Sequence, residues 1–128
     1  MFVVSVQAHY DSAHFLRNYQ GKCERLHGHR YLVELALATN ELDKAGIAFD
    51  FVIVKGQLRE LANRLDHQNL NDLEPFREVE SSAENQAKWF YDELKRMLPP
   101  EIARAILYTR VWETPTQWAQ YTERVLFV

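Results

Sequence analysis

The segment His27-Gly28-His29-Arg30-Tyr31-Leu32-Val33-Glu34-Leu35-Ala36-Leu37-Ala38 alternates in chemical character. His27, His29, Tyr31, Val33, Leu35 and Leu37 share one parity, while Arg30, Glu34 and Ala38 share the other. Successive side chains of a strand point to opposite faces, so this period predicts a half-buried strand. It also puts both imidazoles on one face, about 6–7 Å apart along the chain. Gly28 between them carries no side chain and leaves room for another backbone.

Outward from this strand, Val3 to Ala8 mixes β-branched and polar residues and predicts a first strand. Asn18 to Arg25, polar and containing Gly21, predicts a loop, and Glu41 to Ile47 a short connection. Val54, Leu58, Leu61 and Leu65 recur at helical spacing, which predicts a helix over roughly 51–65 with Asp50 able to cap it. Asn69 to Pro75 reads as a loop. Ser81-Ser82-Ala83-Glu84 has capping-box form with Ser81 as the cap. The stripe Ala83, Ala87, Phe90, Tyr91, Leu94, Leu98 then predicts a second helix, which Pro99-Pro100 ends. Ala105 to Glu113 is strand-like with Ile106, Tyr108 and Trp112 on one parity, and Gln117 to Val128 supplies a last strand. The order β-β-α-α-β-β predicts an α+β fold, a four-stranded antiparallel sheet with two helices on one face.

With 128 residues and no linker-like stretch, the chain is expected to be one domain spanning 1–128. A net charge of −3 without a basic run argues against nucleic acid as a partner. No apolar stretch approaches the roughly 18 residues of a membrane span. Met1 to Tyr10 lacks the basic leader and apolar core of a signal peptide. The single cysteine, Cys23, precludes an intrachain disulfide and fits a reducing, cytoplasmic setting.

A catalytic zinc site needs a third ligand beside His27 and His29 and a position left open for water or substrate. His14, at the end of the first strand, is the best candidate, since a hairpin would bring it beside the pair. His9 has the same chemistry, and spacing alone leaves it as an alternative. It is read as an ordinary surface or core histidine.

Ser12-Ala13-His14-Phe15-Leu16 followed by Cys23-Glu24-Arg25-Leu26-His27-Gly28-His29 resembles the pterin synthase signature S-A-H then C-x3-H-G-H. Asp50-Phe51 with Lys55 is similar to D-F-x-x-x-K, and Leu65-Asp66-His67 with Leu70-Asn71 to L-D-H-x-x-L-N. Ser82-Ala83-Glu84-Asn85 and Val111-Trp112-Glu113-Thr114 resemble two further segments. Together these motifs cover nearly the whole chain and resemble the 6-pyruvoyl-tetrahydropterin synthase / 6-carboxy-tetrahydropterin synthase family.

The resemblance implies the tunnelling fold, in which trimers close their sheets into a barrel and two trimers stack as a homohexamer with active sites between subunits. It implies Zn2+ on His14, His27 and His29, and 7,8-dihydroneopterin triphosphate as substrate. Cys23 would be the general base. A free thiol has a pKa near ~8.5, so the thiolate must be favoured by its neighbours. His67, oriented by Asp66 from another subunit, would share the proton. Glu113 would anchor the pterin through two charge-assisted hydrogen bonds, with Ser82 and Glu84 assisting. Ala83 departs from relatives that carry a hydroxyl there. Lys22, Arg25 and Arg17 are candidates for the triphosphate. Cys23 lies four positions before His27, as in the 6-carboxy branch, and its presence argues against the branch that uses a glutamate instead. The implied reaction releases acetaldehyde and triphosphate and leaves 6-carboxy-5,6,7,8-tetrahydropterin, on the 7-deazaguanine (queuosine) route. The alternatives are a 6-pyruvoyl-type synthase, a zinc hydrolase of another substrate, and a non-catalytic pterin-binding protein.

Overall fold

The computed structural model describes residues 1–124. Two long strands, β1 (Phe2–His14) and β2 (His27–Thr39), form an antiparallel ladder from Phe2↔Thr39 to His14↔His27. Then follow α1 (Phe51–Leu65), a two-residue β3 (Gln68–Asn69), α2 (Ala83–Met97), a short α3 (Pro100–Ala103), β4 (Ile106–Thr114) and β5 (Gln117–Tyr121). The sheet order is β3-β1-β2-β4-β5. The expected four antiparallel strands are therefore present. They gain a fifth, β3, parallel to β1 at Ser12↔Gln68 and Ala13↔Asn69. Within the expected 69–75 loop the chain makes two 3-10 turns, Leu70–Asp72 and Glu74–Phe76.

The alternation in β2 holds: Tyr31, Val33, Leu35 and Leu37 are buried on the face that receives the helices. From β1 the same face takes Val6, Ala8, Tyr10, Ser12 and His14. α1 lies against this face with Val54, Leu58, Leu61 and Leu65 inward, and Asp50 Oδ1 accepts from Val52 N at 2.9 Å as its cap. α2 buries Ala83, Ala87, Phe90, Tyr91 and Leu94 against β4 and β5. The buried side chains form one continuous core between sheet and helices. No helix among the described residues is long and apolar enough to cross a membrane.

Three expectations shift. The cap of α2 is Ser82, whose Oγ accepts from Asn85 N at 3.2 Å. Ser81 is fully buried, and its hydroxyl donates to Asn71 Oδ1 at 2.9 Å. Two adjacent serines fit a cap equally well, and only the tertiary contact of Ser81 decides between them. In β4, Leu37 pairs with Ile106 but Ala36 pairs with Tyr108, so Leu107 is an extra residue. This bulge reverses the parity, leaving Ile106, Thr109 and Val111 buried and turning Tyr108 and Trp112 to the other face. The last strand ends at Tyr121; the final part of the expected Gln117–Val128 span, 125–128, lies outside the described residues. Pro99-Pro100 does end α2, and Pro100 then opens α3 at a first-turn position where its missing N–H is no loss.

Candidate functional site

His14 ends β1 and His27 opens β2, and the ladder sets them opposite each other. His29 follows two residues later on the same face. The ring centroids are 4.6 Å apart for His14 and His27, 4.9 Å for His27 and His29, and 5.4 Å for His14 and His29. One nitrogen from each ring lies within 4.8 Å of the other two. His9 points to the opposite, exposed face of β1 and takes no part. A Cβ on Gly28 would meet Ser12 O at an ordinary 3.7 Å, so no close backbone approach requires the glycine.

The hydrogen bonds of these rings fix their chemistry. His14 Nδ1 lies 2.7 Å from the Ser81 carbonyl, and His27 Nδ1 lies 2.7 Å from the Arg25 carbonyl. A carbonyl only accepts, so each Nδ1 carries a proton and Nε2 is the nitrogen left to offer a lone pair. His29 Nε2 is buried without a hydrogen-bond partner, 3.6 Å from Glu113 Oε2. Burial holds His14 and His29 below the ordinary histidine pKa, opposed by the Ser81 carbonyl at His14 and by the Glu113 charge at His29. Two imidazoles oriented through Nδ1 and one orphaned buried nitrogen on the third suit a metal ion with outer hydrogen bonds in place. The three histidines therefore fit the metal that the motif implied.

Glu113 reaches the same region from β4. With Ala83, Glu84, Gln117, Trp118 and Ala119 it lines a recess of about 150 Å³ beside the histidines. Glu84 and Glu113 thus line one recess. The Ser82 hydroxyl is engaged as the helix cap.

Cys23 sits in a 3-10 turn, Lys22–Glu24, half-buried. Its carbonyl accepts from Leu16 N at 2.7 Å, tying the turn back to the end of β1. Asp66 and His67 follow α1. His67 adopts a left-handed φ of 56°, and its N–H donates to Asp11 O at 2.6 Å. Asp66 accepts from Asp11 N at 2.7 Å and faces His67 Nδ1 at 2.9 Å. The Asp11 N–H and the His67 ring hold the Asp66 carboxyl below the usual carboxylate range. The His67 side chain is 79% exposed and borders a groove lined also by Asp11, Ala13, Arg30 and His29. Among the described residues no hydrogen bond joins Cys23 to His67 within one chain. Arg17 is committed elsewhere: Nη2 donates to Phe76 O at 2.8 Å and its backbone N–H to Glu80 at 2.9 Å. Lys22 and Arg25 are exposed.

Three residues support the histidines in ways the sequence did not assign to them. Asn71 pairs with the backbone of Phe15 through both ends of its amide, at 3.0 and 2.9 Å, and so fixes the chain just after His14. Ser81 supplies the carbonyl behind His14, and Gln86 grips that carbonyl from α2 at 2.9 Å. One signal pointed to Gln86: it is polar, yet it stands in the apolar stripe between Ala83 and Phe90.

Known proteins resemble this chain along most of its length. The family model described as 6-pyruvoyl tetrahydropterin synthase matches residues 3–124. The chain is 32% identical over 126 residues to the 6-carboxy-5,6,7,8-tetrahydropterin synthase of Bacillus subtilis, covering 94% of this chain and 84% of that one. It is 31% identical over 126 residues to the protein of that name from Synechocystis sp., covering 94% and 93%. The solved structure of Caenorhabditis elegans 6-pyruvoyl tetrahydropterin synthase superposes with a TM-score of 0.83 at 25% identity, over 97% of this chain and 98% of that one. The chain therefore belongs to the 6-pyruvoyl tetrahydropterin synthase family and has its tunnelling fold.

Proposed function

We propose that the protein is a zinc-dependent 6-carboxy-5,6,7,8-tetrahydropterin synthase acting on 7,8-dihydroneopterin triphosphate, with release of acetaldehyde and triphosphate. The observation that carries this reading is the cluster of three imidazoles with the orphaned His29 Nε2, set beside Glu113. Relatives bearing the 6-carboxy name over most of the chain favour this product.

His14, His27 and His29 would hold the zinc, which as a Lewis acid acidifies C–H bonds beside an oxygen it binds. Glu113 accepts two hydrogen bonds from the amino and ring N–H groups of the pterin, which orients the side chain toward the histidines. Glu84 borders the same recess. Cys23 takes a proton from the substrate side chain as its thiolate, and His67, oriented by Asp66, exchanges that proton. Among the described residues no hydrogen bond joins Cys23 to His67 within one chain, and in this reading the pair that serves a given Cys23 comes from a neighbouring copy. The outer edge of β1 is free except where β3 pairs at Ser12 and Ala13, and β5 pairs only with β4 among the described residues. Such open edges support sheets closing between copies into a barrel, with two trimers stacked as a hexamer. The reading places the enzyme in the cytoplasm, on the queuosine route.

A 6-pyruvoyl-type synthase is the second reading, favoured by the similarity to the Caenorhabditis elegans structure of that name. Incubating the purified protein with zinc and dihydroneopterin triphosphate and weighing the products separates the two. Acetaldehyde with carboxy-pterin is expected. An intact pyruvoyl side chain would replace this proposal with the second reading, and unchanged substrate would overturn both.

A further inference from the structure

We propose that Gln86 is a positioning residue of the metal centre, holding the Ser81 carbonyl against His14 so that His14 Nε2 faces the other two imidazoles. This rests on the metal site inferred above. Gln86 lies one turn into α2, and helical side chains lean toward the N-terminus of their helix, which brings its amide back to the residue preceding the cap. Gln86 Nε2 donates to Ser81 O at 2.9 Å, and Tyr10 OH donates to Gln86 Oε1 at 2.6 Å. The amide orientation follows from chemistry, because a carbonyl can face only the NH2 end. Ser81 O thus receives two donors, Gln86 Nε2 and His14 Nδ1. Tyr10 and His14 lie on one face of β1, so the amide braces the strand directly at Tyr10 and through Ser81 at His14.

No solvent can take the place of this amide. Gln86 and Ser81 are 0% exposed, Tyr10 is 1% and His14 is 2%. If the Nε2 donor is removed, the Ser81 carbonyl keeps only the imidazole N–H and is free to rotate. The His14 ring loses the fixed partner that sets its tautomer. Arg25 O plays the equivalent part for His27 from an exposed loop, so Gln86 marks the rigid side of the site.

The test uses Gln86→Met, which keeps most of the volume and removes both hydrogen bonds, with Tyr10→Phe as the control that removes only the arm away from His14. Zinc affinity is read by competition with a chromophoric chelator. Q86M is expected to lose about 10–100-fold, the usual effect of removing an outer hydrogen bond at a metal site, and Y10F markedly less. Affinity in Q86M within twofold of the unsubstituted protein, or equal losses in the two variants, would overturn the proposal. If Q86M does not fold, Gln86→Glu preserves length and the Tyr10 acceptor. Ionised at alkaline pH, it presents no donor to Ser81, and the same loss is expected and the same twofold limit applies. A protein that binds no zinc at all would sink the proposed function instead. The ring-nitrogen NMR spectrum of the metal-free protein then decides the proposal alone: His14 protonated at Nδ1 in the unsubstituted chain and a tautomer mixture in the Gln86 variant support it, while identical spectra refute it.

Discussion

At the scale of single residues, charge and hydrogen-bond geometry decide most of what the site can do. Glu113 offers two carboxylate oxygens to a recess shared with Ala83 and Glu84. An amide in its place could accept only once toward the pterin N–H groups. A hydrogen bond to a charged group contributes about 1.5–3 kcal/mol, so Glu113→Gln should raise KM for the pterin by about 10–100-fold. Steady-state kinetics checks this, and an unchanged KM would remove Glu113 from substrate recognition. Asp66 gives a second prediction. Its carboxyl is held low, chiefly by the Asp11 N–H and then by His67. A group whose pKa is depressed on folding contributes stability above its unfolded pKa, about 3.9, and loses it as pH falls through the depressed value. The Asp11 amide resonance should therefore shift in acid, below that ordinary value. No shift there would contradict the Asp11–Asp66 contact.

At the scale of elements, the helices form where the apolar stripe and the caps agree. α1 keeps the expected bounds because Asp50 caps it and its stripe packs without interruption on β1. α2 is more informative, since Ser81 and Ser82 are interchangeable as caps and differ only in what surrounds them. Removing a serine cap costs about 1 kcal/mol. Ser82→Ala should therefore lower the melting temperature by several degrees while leaving metal affinity unchanged. Ser81→Ala keeps the carbonyl behind His14 and the cap, and loses its bond to Asn71. If thermal denaturation and circular dichroism showed α2 fraying in Ser81→Ala and not in Ser82→Ala, the cap would be assigned to the wrong residue.

At the scale of the whole molecule, the two halves of the proposed proton-transfer apparatus belong to different connections of the fold. Cys23 hangs from the β1–β2 connection, while Asp66 and His67 project from the β3 edge. In the proposed reading a neighbouring copy supplies the Asp66–His67 pair. Cys23→Ala and His67→Ala should each be inactive alone. Unfolded together and refolded as a mixture, they should regain about a quarter of the activity, because random assembly gives that share of sites an intact thiol and an intact imidazole from different subunits. No recovery in verified mixed oligomers would mean that both groups act from the same chain.

Sequence alone determined the features that depend on local order. The period of two in β2 placed His27, His29 and the core residues on one face, and the period near 3.6 in α1 and α2 placed their buried stripes. Proline and caps set the ends within a residue. That His27 and His29 share a face was legible because strand parity follows from residue spacing, whereas the placing of His14 beside them needed the β1–β2 register. Tertiary structure decided what depends on partners distant in sequence: the bulge at Leu107 that turned Tyr108 and Trp112 away from the core, the burial of Ser81, the pairing of β3, and the buried amide of Gln86 behind His14. A bulge, a buried hydrogen bond and an edge pairing are each settled by competition among contacts across the fold, and no local period carries that information.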